Sequence, residues 1–166
     1  MKRIVIAGTR RLEYTLIQSV RRNVLFQALP ESGIRVYAPR GMRLRDIDAM
    51  VRQRAALRSA LSARALLRIR QRIEHYAPLL GVQPGRVTVR DQKSRWGSCS
   101  SKHNLNFNWK LIMAPPQALD YVVVHELCHL KIFNHSPRFW ALVGSCMPDY
   151  EVWKKWLKVH GADLFL

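Results

Sequence analysis

Hydrophobic residues follow two different periods along the chain, one typical of strands and one typical of helices. Runs rich in β-branched and aromatic residues occupy much of the first forty positions, and a Pro-Glu-Ser-Gly turn signal interrupts them. We therefore predict an N-terminal β-meander over residues 1–42, with a hairpin near Pro30 to Gly33. The runs that carry this prediction are 14–17, 24–29 and 34–37.

From Arg43 to about Ala77 the apolar residues recur at spacings of three and four, which is typical of amphipathic helices. We interpret residues 43–80 as helix in two pieces, ending near Pro78 and Gly81. The polar face of these predicted helices is almost wholly arginine: Arg52, Arg54, Arg58, Arg64, Arg68, Arg70 and Arg72.

Strand-like alternation returns after residue 85. Residues 87–90 form one predicted strand, and residues 105–109 alternate apolar side chains with asparagines in another. A hairpin turning near Lys102 and His103 joins the second strand to the segment before it. That segment contains Gly97, and a glycine in a strand indicates a close approach of the backbone to another strand or to a ligand.

The clearest chemical signal is the motif His125-Glu126-Leu127-Cys128-His129, preceded by three valines. On a helix, positions i and i+4 share a face, so His125 and His129 can direct ring nitrogens at one point. Glu126 lies about 100° further around the helix axis, within reach of a water at that point. HExxH therefore predicts two zinc ligands and a general base.

His135 follows six residues later, next to the helix start signal Ser136-Pro137. We predict that it is the third ligand, held between two helices. Three protein nitrogens leave one tetrahedral position for water, which is typical of a catalytic zinc and not of a structural one. The motif therefore predicts peptide-bond hydrolysis with one Zn²⁺ per chain, and a peptide or protein as substrate.

The charge of the chain is unusual, because 28 Lys and Arg residues face only 11 Asp and Glu residues, a net charge of +17. Residues 1–95 hold 21 of the basic and 6 of the acidic side chains, so the excess belongs to the part without the metal motif. Two interpretations stay open. The arginines form either a surface for weak nucleic-acid binding or a merely solvated face.

Three cysteines without a CxxC pair argue against a disulfide framework, so we expect a reducing compartment. No segment approaches the ~20 consecutive apolar residues of a membrane span. We therefore expect a cytoplasmic protein that makes no membrane contact.

Four stretches in the last third and middle of the chain occur together: 91–101, 125–129, 134–140 and 147–150. This combination resembles the YgjP-like metallopeptidase family. The resemblance implies a minimal zincin related to the SprT-like and WLM proteases, with HExxH and a downstream His on zinc. Carried over by position, it implies His125, His129 and His135 as ligands and Glu126 as the catalytic base.

We therefore predict an α+β protein with a minimal zincin-like metallopeptidase fold: an N-terminal β-meander, a small sheet and an HExxH helix. One domain spans residues 1–166, divided into the meander (1–42), Arg-rich helices (43–80) and a catalytic core (85–166). Two alternatives remain. A zinc endoribonuclease shares the histidine spacing but does not require Glu126, and a non-enzymatic nucleic-acid adaptor requires a fourth protein ligand, such as Cys128 or Cys146.

Overall fold

The computed structural model describes residues 1–28 and 34–164. Helices and two small sheets alternate along the chain, which confirms the predicted α+β class. The chain divides into two compact units, Met1–Ser59 and Ala60–Leu166, and each has its own buried hydrophobic cluster. The assignment of one domain with three parts stays a prediction.

The first unit contains a four-stranded sheet in the order β1-β2-β4-β3. Strand β2 pairs with β1 in the antiparallel sense and with β4 in the parallel sense, and β3 pairs antiparallel to β4. The predicted meander is therefore wrong in its topology, and the predicted hairpin tip at 30–33 lies outside the described residues. The strands are β1 (Lys2–Ala7), β2 (Arg10–Ser19), β3 (Leu25–Ala28) and β4 (Ile34–Pro39).

Burial explains this strand order. The central strands β2 and β4 carry the fully buried side chains of the sheet, among them Tyr14, Leu16 and Val36. Strand β3 is short and leaves Leu25 exposed, as suits an edge. The two strands that carry these buried side chains therefore lie side by side, although β3 separates them in sequence.

Residues 44–80 form one continuous helix, α1 (Leu44–Leu80), and the prediction of two helical pieces is wrong. The sequence between residues 44 and 77 contains neither Gly nor Pro and is rich in Ala, Leu and Arg, the best helix formers. The apolar pattern shifts because Ile47 and Val51 belong to one hydrophobic cluster, whereas Ile69 and Ile73 belong to the other. The shift in the apolar pattern therefore reflects a change of buried face and not a break in the helix.

Gly81 ends α1 in the left-handed conformation, with a φ of 60°. The Gly81 N–H donates to the Pro78 carbonyl at 3.0 Å, and the Val82 N–H donates to the Ala77 carbonyl at 3.1 Å. This pair of hydrogen bonds is a Schellman motif, which satisfies carbonyls left free at the helix end. The stop predicted near Pro78 and Gly81 is thus confirmed.

The second unit contains a three-stranded sheet in the order β5-β7-β6, with β7 parallel to β5 and antiparallel to β6. The predicted hairpin is confirmed, and His103 lies in its turn with a φ of 60°. Short 3-10 helices occupy 109–113 and 161–164. The remaining elements are β5 (Val87–Arg90), β6 (Gly97–Cys99), β7 (Leu105–Asn108), α2 (Pro116–Cys128), α3 (Pro137–Cys146) and α4 (Tyr150–His160).

The core of the second unit surrounds α2, which is buried along most of its length. Phe107 from β7, Leu127 from α2 and Phe139 from α3 are fully buried in this cluster, and Leu157 from α4 joins them. The metal-motif helix is therefore fixed on several sides. None of the helices in the described part of the chain is long and apolar enough to cross a membrane.

Candidate metal centre

Helix α2 begins at Pro116, the first-turn position that proline favours. It ends at Cys128, and His129 occupies the position that caps it. Helix α3 begins at Pro137 after Ser136, as predicted, although the Ser136 side chain makes no capping hydrogen bond. His135 thus lies in the short connection between two packed helices.

The three predicted ligands come together. The Nε2 atom of His125 lies 3.1 Å from Nε2 of His129 and 3.1 Å from Nε2 of His135. The possible ligand atoms of the three residues all lie within 4.8 Å of one another. For a tetrahedral zinc with Zn–N distances near 2.0–2.1 Å, ligand nitrogens lie about 3.3 Å apart, so the spacing fits.

A hydrogen bond of the His129 ring determines which of its nitrogens faces the other two histidines. Its Nδ1 lies 3.0 Å from the Ile132 carbonyl oxygen, so Nδ1–H donates there and the neutral ring keeps its lone pair on Nε2. His125 can place at most one proton between the three Nε2 atoms, so its two short contacts cannot both be full hydrogen bonds. A cation that accepts three lone pairs satisfies all of them.

Aromatic side chains pack around the histidines. The Phe139 ring centroid lies 4.9, 4.5 and 5.0 Å from those of His125, His129 and His135, respectively. Trp140 stacks on His135 at 5.6 Å. No local sequence pattern indicated that these aromatic residues of α3 pack against the imidazoles.

Burial also sets the charge of His125. Desolvation by burial, helped by the charges of the neighbouring imidazoles and of Lys154, lowers its pKa to about 3. The ring is therefore neutral near pH 7, as a metal ligand must be. Its Nδ1 atom is buried without a hydrogen-bond partner in the described residues.

Glu126 lies against β6, where Gly97 leaves room for it. A Cβ atom on Gly97 would lie 2.6 Å from Glu126 Oε1 and 2.7 Å from its Cγ, closer than atoms can pack. The close approach predicted at Gly97 is thus an approach of the β6 backbone to the Glu126 side chain. Burial of this carboxyl raises its pKa to about 8, opposed by the positive charge of Arg95.

Comparison with known proteins agrees with this geometry. The YgjP-like metallopeptidase domain matches residues 52–160, a range that includes all three histidines and Glu126. The chain belongs to the YgjP-like metallopeptidase family. It is therefore a metallopeptidase, a hydrolase that acts on peptides or proteins, and the predicted family and enzyme class are confirmed.

Two solved structures are similar to parts of this YgjP-like chain, and the first shares the fold of the matched part. The metallopeptidase zymogen of Pyrococcus abyssi abylysin has 22% sequence identity and a TM-score of 0.50, over 57% of this chain and 93% of that one. The metallopeptidase zymogen of Methanocaldococcus jannaschii jannalysin has 21% identity and a TM-score of 0.43, over 51% and 90% of the two chains. No curated protein matches the chain.

No fourth protein ligand joins the three histidines among the residues that the structure describes. Cys128 is fully buried and its thiol pKa is raised to about 12, mainly by burial and also by Cys146, so it is not a thiolate near neutral pH. The adaptor alternative, which requires such a ligand, loses its support. A fourth position in this YgjP-like domain would be left to water or substrate.

An open cavity of about 350 Å³ adjoins His125 and Glu126. Its walls come from the segment before β6, from α2 and from α4. Sequence patterns gave no sign that Arg95, Lys154 and Lys158 reach this site, because the contacts join segments that are far apart in the chain. The lining residues are Ser94, Arg95, Trp96, Gly97, Tyr121, Val122, His125, Glu126, Lys154, Leu157 and Lys158.

Proposed function

We propose that this YgjP-like domain hydrolyses peptide bonds with one zinc ion bound by His125, His129 and His135, and with Glu126 as the general base. The observation that carries the proposal is the convergence of three Nε2 atoms, with the His129 lone pair fixed toward the others. Three histidine nitrogens are one of the donor sets that catalytic zinc sites use.

The three imidazoles would hold zinc, which would supply a Lewis acid for the scissile carbonyl and for a bound water. Glu126 would accept the proton of the attacking water and return it to the leaving amine. Its carboxyl opens onto the same cavity as His125, while its other side is closed by β6 at Gly97. The carboxylate could therefore accept a proton from the attacking water without itself binding the metal.

Substrate placement follows from the edge strand β6. This strand pairs with β7 on one side, and in the described residues its other side carries no strand. An extended peptide added there would gain backbone hydrogen bonds with little dependence on its sequence. We propose that the hairpin from Trp96 to Trp109 borders the substrate cleft, because Trp96 and Gly97 line the cavity beside His125.

Recruitment to nucleic acid is a separate proposal, and only the exposed arginines of α1 support it. The arginines of α1 do not all belong to one free face. Arg72 forms a bidentate ion pair with Asp120, at 2.7 and 2.9 Å, and Arg54 lies over the Phe26 ring. Arg64, Arg68 and Arg70 are exposed and offer phosphate contacts.

Metal analysis tests the zinc site. Purified protein is expected to hold close to one equivalent of zinc, and His125→Ala, His129→Ala and His135→Ala are each expected to lower that content. His75→Ala, which changes an exposed histidine on α1, is the matched control and should keep the metal. Full retention of zinc after His135→Ala would remove the third-ligand assignment.

A further inference from the structure

The cavity beside His125 and Glu126 has an apolar floor and a basic rim. Tyr121, Val122 and Leu157 are buried residues that line it, and Trp96 contributes an aromatic wall. At about 350 Å³ it has room for one large side chain and several waters. His125, a proposed metal ligand, and Glu126, the proposed base, both line this cavity. A substrate residue next to the scissile bond would therefore point into it.

The rim carries three cations. Arg95 precedes β6, and Lys154 and Lys158 lie one turn apart on α4. Glu126 is the only acidic residue among those lining the cavity. Arg95, Lys154 and Lys158 form no salt bridge with a carboxylate in the part of the chain that the structure describes.

This concentration of charge is local. Residues 91–166, which include all three cations of the rim, contain 9 basic and 6 acidic side chains, so the segment as a whole carries only a small net charge. Lys154 is also held in place, since its Nζ lies 3.7 Å from the centroid of the Trp140 ring. A second cavity of about 170 Å³ shares Arg95 and Trp96 with the first and adds Lys93. The basic rim thus extends along one side of the proposed cleft.

We propose that this cavity is a carboxylate-binding subsite, which takes an acidic side chain or a terminal carboxylate of the substrate next to the scissile bond. The inference rests on the proposed peptidase function and names its substrate class. A glutamate side chain fits the two surfaces: its methylene groups cover the apolar floor, and its carboxylate receives charge-assisted hydrogen bonds from the rim.

Cleavage profiling measures this preference. Incubation of the zinc-loaded protein with a mixed peptide library, followed by mass spectrometry of the products, identifies the cut sites. Synthetic peptides that differ only as Glu, Gln or Lys beside the cut are then compared, together with peptides ending in a free carboxylate or an amide. We expect kcat/KM to be about 10-fold or more higher for the carboxylate member of the preferred pair.

Charge reversal assigns the preference to the rim. In Lys158→Glu, the ratio of kcat/KM for the Glu peptide to that for the Gln peptide should fall to one or below, and cleavage of the Lys peptide should gain relative to both. Lys155→Glu is the matched control, because Lys155 is an exposed residue of the same helix that lines neither cavity. It should keep the parent ratio.

A binding measurement separates this inference from the proposed function. Fluorescence anisotropy with labelled Glu and Gln peptides and the Glu126→Gln protein should show tighter binding of the Glu peptide, and Lys158→Glu in that background should abolish the difference. Equal cleavage and equal binding of the two peptides would overturn the subsite and leave the peptidase proposal intact. Selective binding without hydrolysis by the parent would support the subsite and contradict the peptidase proposal. Cleavage of RNA in place of any peptide, with RNA displacing the labelled peptide, would overturn both.

Discussion

Gly97 allows Glu126 to lie against β6, and this contact leads to the first prediction at the residue scale. Gly97→Ala places a methyl group 2.6 Å from Glu126 Oε1, so the carboxyl must move by almost 1 Å. A displacement of that size at a reacting group can cost ~10²-fold in rate. We expect hydrolysis to fall by about 10-fold to 100-fold while zinc content, measured on the same preparation, stays unchanged.

Gly144→Ala is the control for this substitution. A Cβ atom on Gly144 in α3 meets the Tyr150 side chain of α4 at 3.6 Å, an ordinary van der Waals distance. Alanine favours helix over glycine, so this variant should be as active as the parent and at least as stable. Equal activity of the Gly97 and Gly144 variants would show that the position of Glu126 does not depend on Gly97.

Local spacing explains how much of the site could be predicted from the sequence. His125 and His129 share a helix face at i and i+4, and a start signal next to His135 placed it before another helix. Phe139 is four residues beyond His135, yet its contact with all three imidazoles depends on how two helices pack. The position of Lys158 at the cavity also depends on helix packing. The hydrophobic period of a helix shows which face is buried, but it does not show which other element packs against that face.

At the scale of elements, an ion pair joins α1 to the metal-motif helix. Arg72 on α1 donates two hydrogen bonds to Asp120 on α2, and the Tyr76 hydroxyl lies 3.3 Å from the same carboxylate. Both charged side chains are mostly buried, at 22% and 13% exposure. Arg72→Met leaves Asp120 without its cation, so we expect it to destabilise the protein by on the order of 2–3 kcal/mol.

Urea unfolding, monitored by circular dichroism, measures that change. Arg70→Met is the matched control, since Arg70 is exposed on the same helix, and it should stay within about 0.5 kcal/mol of the parent. If the two variants unfold alike, the ion pair does not anchor α2.

Elements were predicted well where the signal was local and poorly where it was not. Pro137 marks the start of α3 and Gly81 the end of α1 as predicted, because proline and glycine act on the backbone next to them. The pairing of β2 with β4 depends on which strands share the core, which no local pattern records. Helix α1 was divided in two because its apolar stripe turns from one cluster to the other.

At the scale of the whole molecule, most of the net charge of +17 lies in residues 1–95, where 21 basic side chains meet 6 acidic ones. If the exposed arginines recruit nucleic acid, duplex and single-stranded DNA and RNA should bind with micromolar affinity and a steep salt dependence. Changing Arg64, Arg68 and Arg70 to Gln should make the log-log salt slope shallower by about one for each phosphate that the variant no longer neutralises, with peptide hydrolysis unchanged.

The control for that titration changes Lys102, Lys131 and Lys155 to Gln, which removes the same charge from exposed positions off α1. Recruitment through α1 predicts a larger effect for the arginine variant than for this one. Equal effects would indicate attraction by net charge alone. The absence of binding at low salt would leave the arginines a solvated surface.

The central claim is that Glu126 acts as the base beside zinc held by three histidines, and Glu126→Gln tests it most directly. The substitution is nearly isosteric and leaves every ring nitrogen in place. Zinc content and peptide hydrolysis are measured on the same preparation. We expect close to one equivalent of zinc, as in the parent, with hydrolysis lower by ~10²-fold or more. A variant that keeps its zinc and cleaves peptides as fast as the parent would contradict the account.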